Sequence, residues 1–262
     1  MPNSSKLKLK SNVSHTKKPL GGKSYEAIPH LPGSLVRLGD VVALDGMVRI
    51  ATVQPRDHHD RVICSEKLDG TCVAVAKIHG DVVPLNRSGQ VASLSPWVLH
   101  RMFAKWVEQN ERRFWTMLGE GERVVGEWLA QAHGTIYDLT HEPFVCLDVI
   151  VEDRRHKSGS KLNRIPYDEM TARASAQGFT IPHKIHDGGP VSVAAVIEYL
   201  DNHDRNPYPH GAIDGCEGAV WRVERRGRPD FLLKYVRPCK HPNRYLPEVT
   251  GRKPVMLWTP RS

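Results

Sequence analysis

The sequence predicts an α+β fold built mainly of antiparallel sheets flanked by helices. Short apolar runs bounded by turn residues recur at 61–64, 72–76, 82–85, 123–130, 144–151, 217–223 and 231–237, each the length of one strand. Three longer stretches, beginning near Ser95, Tyr167 and Ser192, read as helices. With 262 residues, 40% of them apolar, the chain can bury the core of one large domain or two small ones.

The elements follow in order. Met1 to Lys23 holds six lysines, no acid, and many Ser, Pro and Gly, which predicts a disordered basic tail over 1–24 ahead of a folded domain over 25–262. Gly22-Lys23-Ser24 has the ending of a phosphate loop, but the first glycine of that motif falls on Lys17 and no strand precedes it, so that reading is rejected. Pro29-His30-Leu31-Pro32-Gly33-Ser34 is a fixed turn, followed by short strands over 41–44 and 48–53. Arg56-Asp57-His58-His59-Asp60 reads as a polar loop, since adjacent histidines project in different directions. Lys67 then sits in a tight Asp69-Gly70 bend between two strands, as in a hairpin.

Gly80-Asp81 is the next turn, leading through 82–85 to Arg87-Ser88-Gly89. Ser95-Pro96 offers a cap and a proline at the first helical position, and Trp97, Val98, Met102, Trp106 and Val107 read as a core-facing stripe, with an aromatic nucleic-acid platform as the less favoured alternative, running, with a break, toward Leu118. Strands over 123–130 and 144–151 carry one acid each. Helices over 167–177, ended by Gly178, and 192–202 come next, and strands over 217–223 and 231–237 close the pattern. His183 and His186 fall beside Pro182 and read as a loop.

Lys and Arg number 37 against 29 Asp and Glu, a net charge of +8, which favours a polyanionic partner such as nucleic acid. Cys64, Cys72, Cys146, Cys216 and Cys239 are odd in number and lack metal-ligand spacing, the usage of a reducing, cytoplasmic protein. No apolar run is long enough to span a bilayer, and the basic N-terminus lacks the apolar segment of a secretory signal.

Several of the strands share one property: a charge is set in or at the end of an apolar run, namely Lys67, Glu127, Asp148, Glu217 and Lys234. A charge in an apolar strand is costly unless paired, metal-bound or lining a cleft, and five of both signs point to one polar groove between sheets. Lys67, Arg87, Lys234 and Arg237 suit a phosphate chain; Glu127 and Glu217 suit a sugar hydroxyl or a divalent cation. A lysine partly desolvated among cations has a lowered pKa and a neutral, nucleophilic amine. A chance lysine in a turn remains the alternative for Lys67 alone.

The ordered set resembles the covalent nucleotidyltransferases: RNA ligases, DNA ligases and capping enzymes. Glu66-Lys67-Leu68-Asp69-Gly70-Thr71 is similar to their nucleotidyl-lysine motif, and Arg87-Ser88-Gly89, Val125-Gly126-Glu127-Trp128, Glu217-Gly218-Ala219-Val220 and Leu233-Lys234-Tyr235-Val236-Arg237 to the motifs that follow. The segment from Phe144 to Ile150, with Leu147, resembles the strand that stacks on the base. The set covers about two thirds of the chain. Pro29 to Ser34 and Lys234 to Pro238 most resemble small bacterial and phage RNA ligases.

The resemblance implies a nucleotidyltransferase (ATP-grasp-like ligase) fold around a nucleotide groove. It implies an ATP-dependent RNA ligase acting through a lysine–AMP intermediate and an adenylylated 5′ end. Lys67 would attack the α-phosphate, Asp69 would shape its turn, and Lys234 would neutralise developing charge. Glu66, Arg87, Glu127, Phe144, Leu147 and Arg237 would contact nucleotide, and Glu217 would bring magnesium or manganese. RNA is the implied partner, ahead of DNA, gripped by the basic tail or a partner protein. Only 25 residues follow Arg237, so no C-terminal oligonucleotide-binding barrel is expected.

The pattern departs at two positions. Many RNA ligases carry asparagine where Cys72 stands, and a second lysine where Val236 stands. A small DNA ligase, another lysine nucleotidyltransferase, or a non-catalytic nucleotide- or RNA-binding relative are the alternatives.

Overall fold

A computed structural model describes residues 18–151, 163–203 and 210–259. Its elements are α1 (Asp45–Thr52), β1 (Asp60–Lys67), β2 (Thr71–Ile78), β3 (Asp81–Asn86), α2 (Val98–Gln109), α3 (Glu111–Met117), β4 (Glu122–Trp128), β5 (Phe144–Val151), β6 (Asn163–Arg164), α4 (Tyr167–Ala176), β7 (Lys184–Gly188), α5 (Val193–His203), β8 (Gly218–Arg225), β9 (Arg228–Val236) and α6 (Pro247–Thr250), with one 3₁₀ turn at Ala92–Leu94.

The strands form two antiparallel sheets, one ordered β7-β1-β8-β9 and the other β3-β2-β4-β5-β6. The α+β expectation therefore holds, with a correction at its centre. β1 and β2 do not pair as a hairpin. The bend after Lys67 carries the chain from one sheet into the other. Gly70 makes this crossing possible, because a Cβ there would lie 2.7 Å from the Trp128 carbonyl oxygen and 2.9 Å from Leu129 Cδ2.

Strand alternation sorts each sheet into a core face and a groove face. In the first sheet Val62, Cys64, Ala219, Trp221, Val223 and Leu233 bury against Met47, Val48, Ala51, Val196 and Leu200 of α1 and α5. Their neighbours Ile63, Ser65, Lys67, Val220, Arg222, Leu232, Lys234 and Val236 line the space between the sheets. In the second sheet Val73, Val75, Val124, Trp128, Phe144 and Cys146 pack against Phe103, Trp106, Phe114 and Met170 of α2, α3 and α4.

Three further expectations are corrected. Residues 48–53 are not a strand: Val48, Ile50 and Ala51 lie within the helix α1 and pack on the first sheet, while Val53 caps its end and is exposed. Trp97 and Val98 are not core, being 60% and 61% exposed; α2 starts at Val98, past Pro96, and buries Trp106 and Val107 of the expected stripe together with Phe103. His186 lies on β7 rather than in a loop. The break before α3 falls at Asn110, whose Nδ2 donates to the Trp106 carbonyl at 2.9 Å.

Residues 1–17 of the expected basic tail lie outside the described residues. Leu20 packs against the cluster around Leu85, and the Ser24 amide donates to the Arg87 carbonyl at 3.0 Å, so 20–24 lie on the loop after β3. The polar loop at 56–60 is an ion-pair knot in which Arg56 and Arg225 share Asp60. All five cysteines are free. Among the described residues no helix is long and apolar enough to cross a membrane.

Candidate active site

A cavity of about 870 Å³ opens between the two sheets, and most of the expected site residues meet there: Glu66, Lys67, Asp69, Arg87, Glu127, Leu147, Glu217 and Lys234. Lys67 ends β1 and donates through Nζ to Glu217 Oε2. Glu217 immediately precedes β8, which pairs with β1 so that Lys67 faces Gly218. The glycine is obligatory there: a Cβ on Gly218 would fall 1.9 Å from the Tyr235 carbonyl oxygen.

The turn below Lys67 is held on both sides. The Gly134 amide donates to Asp69 Oδ2 at 2.7 Å, and the Asp69 amide donates to the Tyr137 hydroxyl at 2.9 Å. The Gly70 amide donates to Glu127 Oε1 at 3.0 Å. Asp69 thus shapes the turn through the backbone of the 133–137 loop, while Glu127, on β4 opposite Cys72 of β2, ties that turn to the second sheet.

The electrostatics correct one expectation. Burial acts to lower the Lys67 pKa, but Glu217, Glu127 and Asp69 outweigh it and hold the amine above the ordinary lysine value. Lys67 is therefore a protonated, ion-paired group in this state, not a neutral amine. Lys234 shifts the other way, lowered by burial and by the nearby charges of Lys67 and Arg87. Burial pushes the Glu127 carboxyl up to about 7. It also raises Glu217, with Lys67 pulling back.

Glu217, Glu127 and Asp69 stand close enough to act on the Lys67 ammonium and offer hard carboxylate oxygens of the kind a divalent cation takes. Among the described residues no three metal-ligating side chains converge on one point. A cation here would take a carboxylate such as Glu217 and complete its shell with phosphate oxygens and water, the manner in which magnesium is commonly held.

Three expected residues are placed elsewhere. Phe144 is 1% exposed and packs among Phe103, Trp106, Phe114 and Phe179; Leu147 is the β5 side chain that reaches the cavity. Arg237 lies on the alternate face from Lys234 and Val236 and pairs with Asp201 of α5. Asp148 is wholly buried in an ion network, accepting from Arg164 at 2.6 Å, Arg222 at 3.1 Å and the Tyr25 hydroxyl at 3.2 Å. Glu66 reaches the cavity wall, but its carboxylate accepts from Cys216 Sγ at 3.2 Å on the far side of β1.

Sequence reasoning missed His30, His133, Arg222 and Trp97, all of which line the cavity. His133 stands 3.1 Å from Thr71 Oγ1, and His30, 3.3 Å from Asp40, is carried in by the chain running beside β9. Arg222 was legible as a charge inside an apolar strand, the signal that identified Lys234.

The model of the RNA ligase family matches residues 60–236, from the first residue of β1 to the last of β9. The chain belongs to the RNA ligase family. Its fold resembles a Naegleria gruberi RNA ligase in a lysine-to-methionine mutant with AMP and Mn, at a TM-score of 0.50 and 10% identity, covering 82% of this chain and 60% of that one. A lysine-to-alanine mutant of the same ligase with ATP and Mn matches at 0.50 and 10%, over 82% and 61%. An archaeal ATP-dependent RNA ligase matches at 0.47 and 15%, over 81% and 48%, so this chain spans about half the length of that protein. No curated protein matches.

Proposed function

We propose that this RNA ligase family member is an ATP-dependent ligase that joins 5′-phosphate and 3′-hydroxyl RNA ends through a lysine–AMP intermediate. The observation that carries the reading is the convergence of Lys67, Arg87, Glu127, Glu217 and Lys234 on one cavity. Solved relatives of similar fold hold ATP or AMP with Mn, which supports ATP as the substrate and a divalent metal as cofactor.

The residues divide the work. The Lys67 ammonium first leaves Glu217 and gives up a proton to solvent water. Its lone pair then attacks the ATP α-phosphorus; the N–P bond forms as the bond to the bridging oxygen breaks and pyrophosphate departs. Lys234, whose charge is disfavoured by burial and by its cationic neighbours until an anion arrives, and Arg87 set charge where phosphate oxygens enter. Glu127 accepts from a ribose hydroxyl, and Leu147 gives the base an apolar wall. A magnesium or manganese ion held by Glu217 would neutralise phosphate charge and weaken that carboxylate's hold on Lys67.

An RNA 5′-phosphate oxygen next attacks the phosphorus of the bound AMP, and the Lys67 nitrogen leaves. A 3′-hydroxyl then attacks the activated 5′-phosphate and AMP is released. The test is incubation with α-labelled ATP and magnesium or manganese, followed by denaturation and a sealing assay on 5′-phosphate RNA. Label on the wild type but not on Lys67→Ala, with sealed product, supports the reading; an unlabelled wild type in both metals overturns it.

A further inference from the structure

We propose that Trp97 is a stacking platform for one base of the RNA strand at the mouth of the cavity; the proposal rests on the ligase reading. Trp97 is 60% exposed, with Leu94 and Val98 each 61% exposed beside it in sequence. Trp106, Trp128 and Trp221 are buried, and Trp115, though exposed, is covered by Lys77 Nζ at 3.8 Å from the ring centroid. Among the described residues no ring or cation covers Trp97.

The indole is bare, but the turn that presents it is fixed. The Trp97 amide donates to Ser95 Oγ at 3.2 Å, and Ser95 Oγ is 2.7 Å from His100 Nδ1. Arg101 Nη1 donates to the carbonyls of Ser95 at 2.8 Å and Pro96 at 2.6 Å. A braced turn holding an uncovered aromatic ring is preorganised for a flat apolar ligand, since little side-chain freedom is lost on binding.

Location and charge select the ligand. Trp97 lines the same cavity as Lys67 and the exposed Arg87. An exposed aromatic face in the same cavity as the guanidinium of Arg87, on a chain of net charge +8, is the chemistry that recognises single-stranded nucleic acid. The adenine of ATP is not the favoured occupant. Small-molecule sites enclose most of their ligand, whereas this ring is open; Leu147 and Val220 supply the inner apolar walls.

The test measures equilibrium binding of a fluorescein-labelled, single-stranded RNA with a 3′-hydroxyl end to the wild type, Trp97→Ala, Trp97→Phe and Arg87→Ala. Loss of one base–aromatic stack should weaken binding by Trp97→Ala roughly tenfold, with recovery in Trp97→Phe. The salt dependence should be the same in Trp97→Ala as in the wild type, and smaller by about 0.7 in log–log slope in Arg87→Ala. Replacing single nucleotides by abasic ones should reveal one position that weakens the wild type and not Trp97→Ala.

Near-ultraviolet circular dichroism checks that the variants are folded. Equal RNA affinity in folded wild type and Trp97→Ala overturns the platform. So does a Trp97→Ala that weakens lysine labelling by ATP while binding RNA normally, which would give the ring to adenine, or a change of oligomeric state with RNA affinity intact, which would give it to a protein surface. Failure of the ligase reading appears separately, as a wild type that ATP does not label.

Discussion

Asp148→Ala should be among the most destabilising single changes in this fold. The carboxylate is wholly buried and accepts from Arg164 Nε at 2.6 Å, Arg222 Nη1 at 3.1 Å and Tyr25 Oη at 3.2 Å. The two guanidinium side chains are themselves only 9% and 6% exposed. On losing Asp148, Arg222 keeps Glu224 at 2.8 Å and the Ile165 carbonyl, but Arg164 is left facing the Tyr25 ring. An orphaned buried charge costs about 3–5 kcal/mol, a large part of the roughly 5–15 kcal/mol that holds a domain folded. Asp148→Asn keeps an acceptor and should lose roughly 1–3 kcal/mol. Urea unfolding followed by tryptophan fluorescence measures both. A loss below about 1 kcal/mol for Asp148→Ala would refute the reasoning, because it would mean that water reaches Arg164 and the network carries no buried charge.

The site makes further predictions. Lysine labelling by ATP should rise as pH passes through about 7, where the buried Glu127 ionises, and keep rising in the alkaline range because acidic neighbours hold Lys67 protonated; Glu127→Gln should erase the lower step in the rate–pH profile. Lys234→Ala should cut labelling at least tenfold, whereas Arg237→Ala, on the alternate face where Arg237 pairs with Asp201, should leave the rate within a few-fold. Gly70→Ala forces a Cβ to 2.7 Å from the Trp128 carbonyl oxygen, so it should cost about 1–3 kcal/mol in thermal unfolding and slow labelling by shifting the Lys67 turn.

The strands of the site were legible because each is a short apolar run interrupted by charge, and a charge there demands an explanation. That signal located Lys67, Glu127, Glu217 and Lys234. It could not separate a groove charge from a core ion pair, and Asp148 fell on the wrong side because its partners come from other strands, Arg164 from the neighbouring β6 and Arg222 from β8 of the other sheet. Nor does local sequence say which sheet a strand joins: the Asp69-Gly70 bend has hairpin chemistry, yet it bridges two sheets. Alternation along β9 did separate Lys234 from Arg237, and the same rule shows why Phe144 faces the aromatic core while Leu147 faces the cavity. Trp97 was misread because helical spacing was extended two residues too far back across Pro96.

Peptide mapping of the protein after reaction with ATP and magnesium or manganese tests the central claim most directly. The account predicts a single AMP adduct on the peptide that contains Lys67, acid-labile as a phosphoramidate and discharged when 5′-phosphate RNA is added. An adduct on another residue, or an unmodified Lys67 in protein that seals RNA, would contradict it.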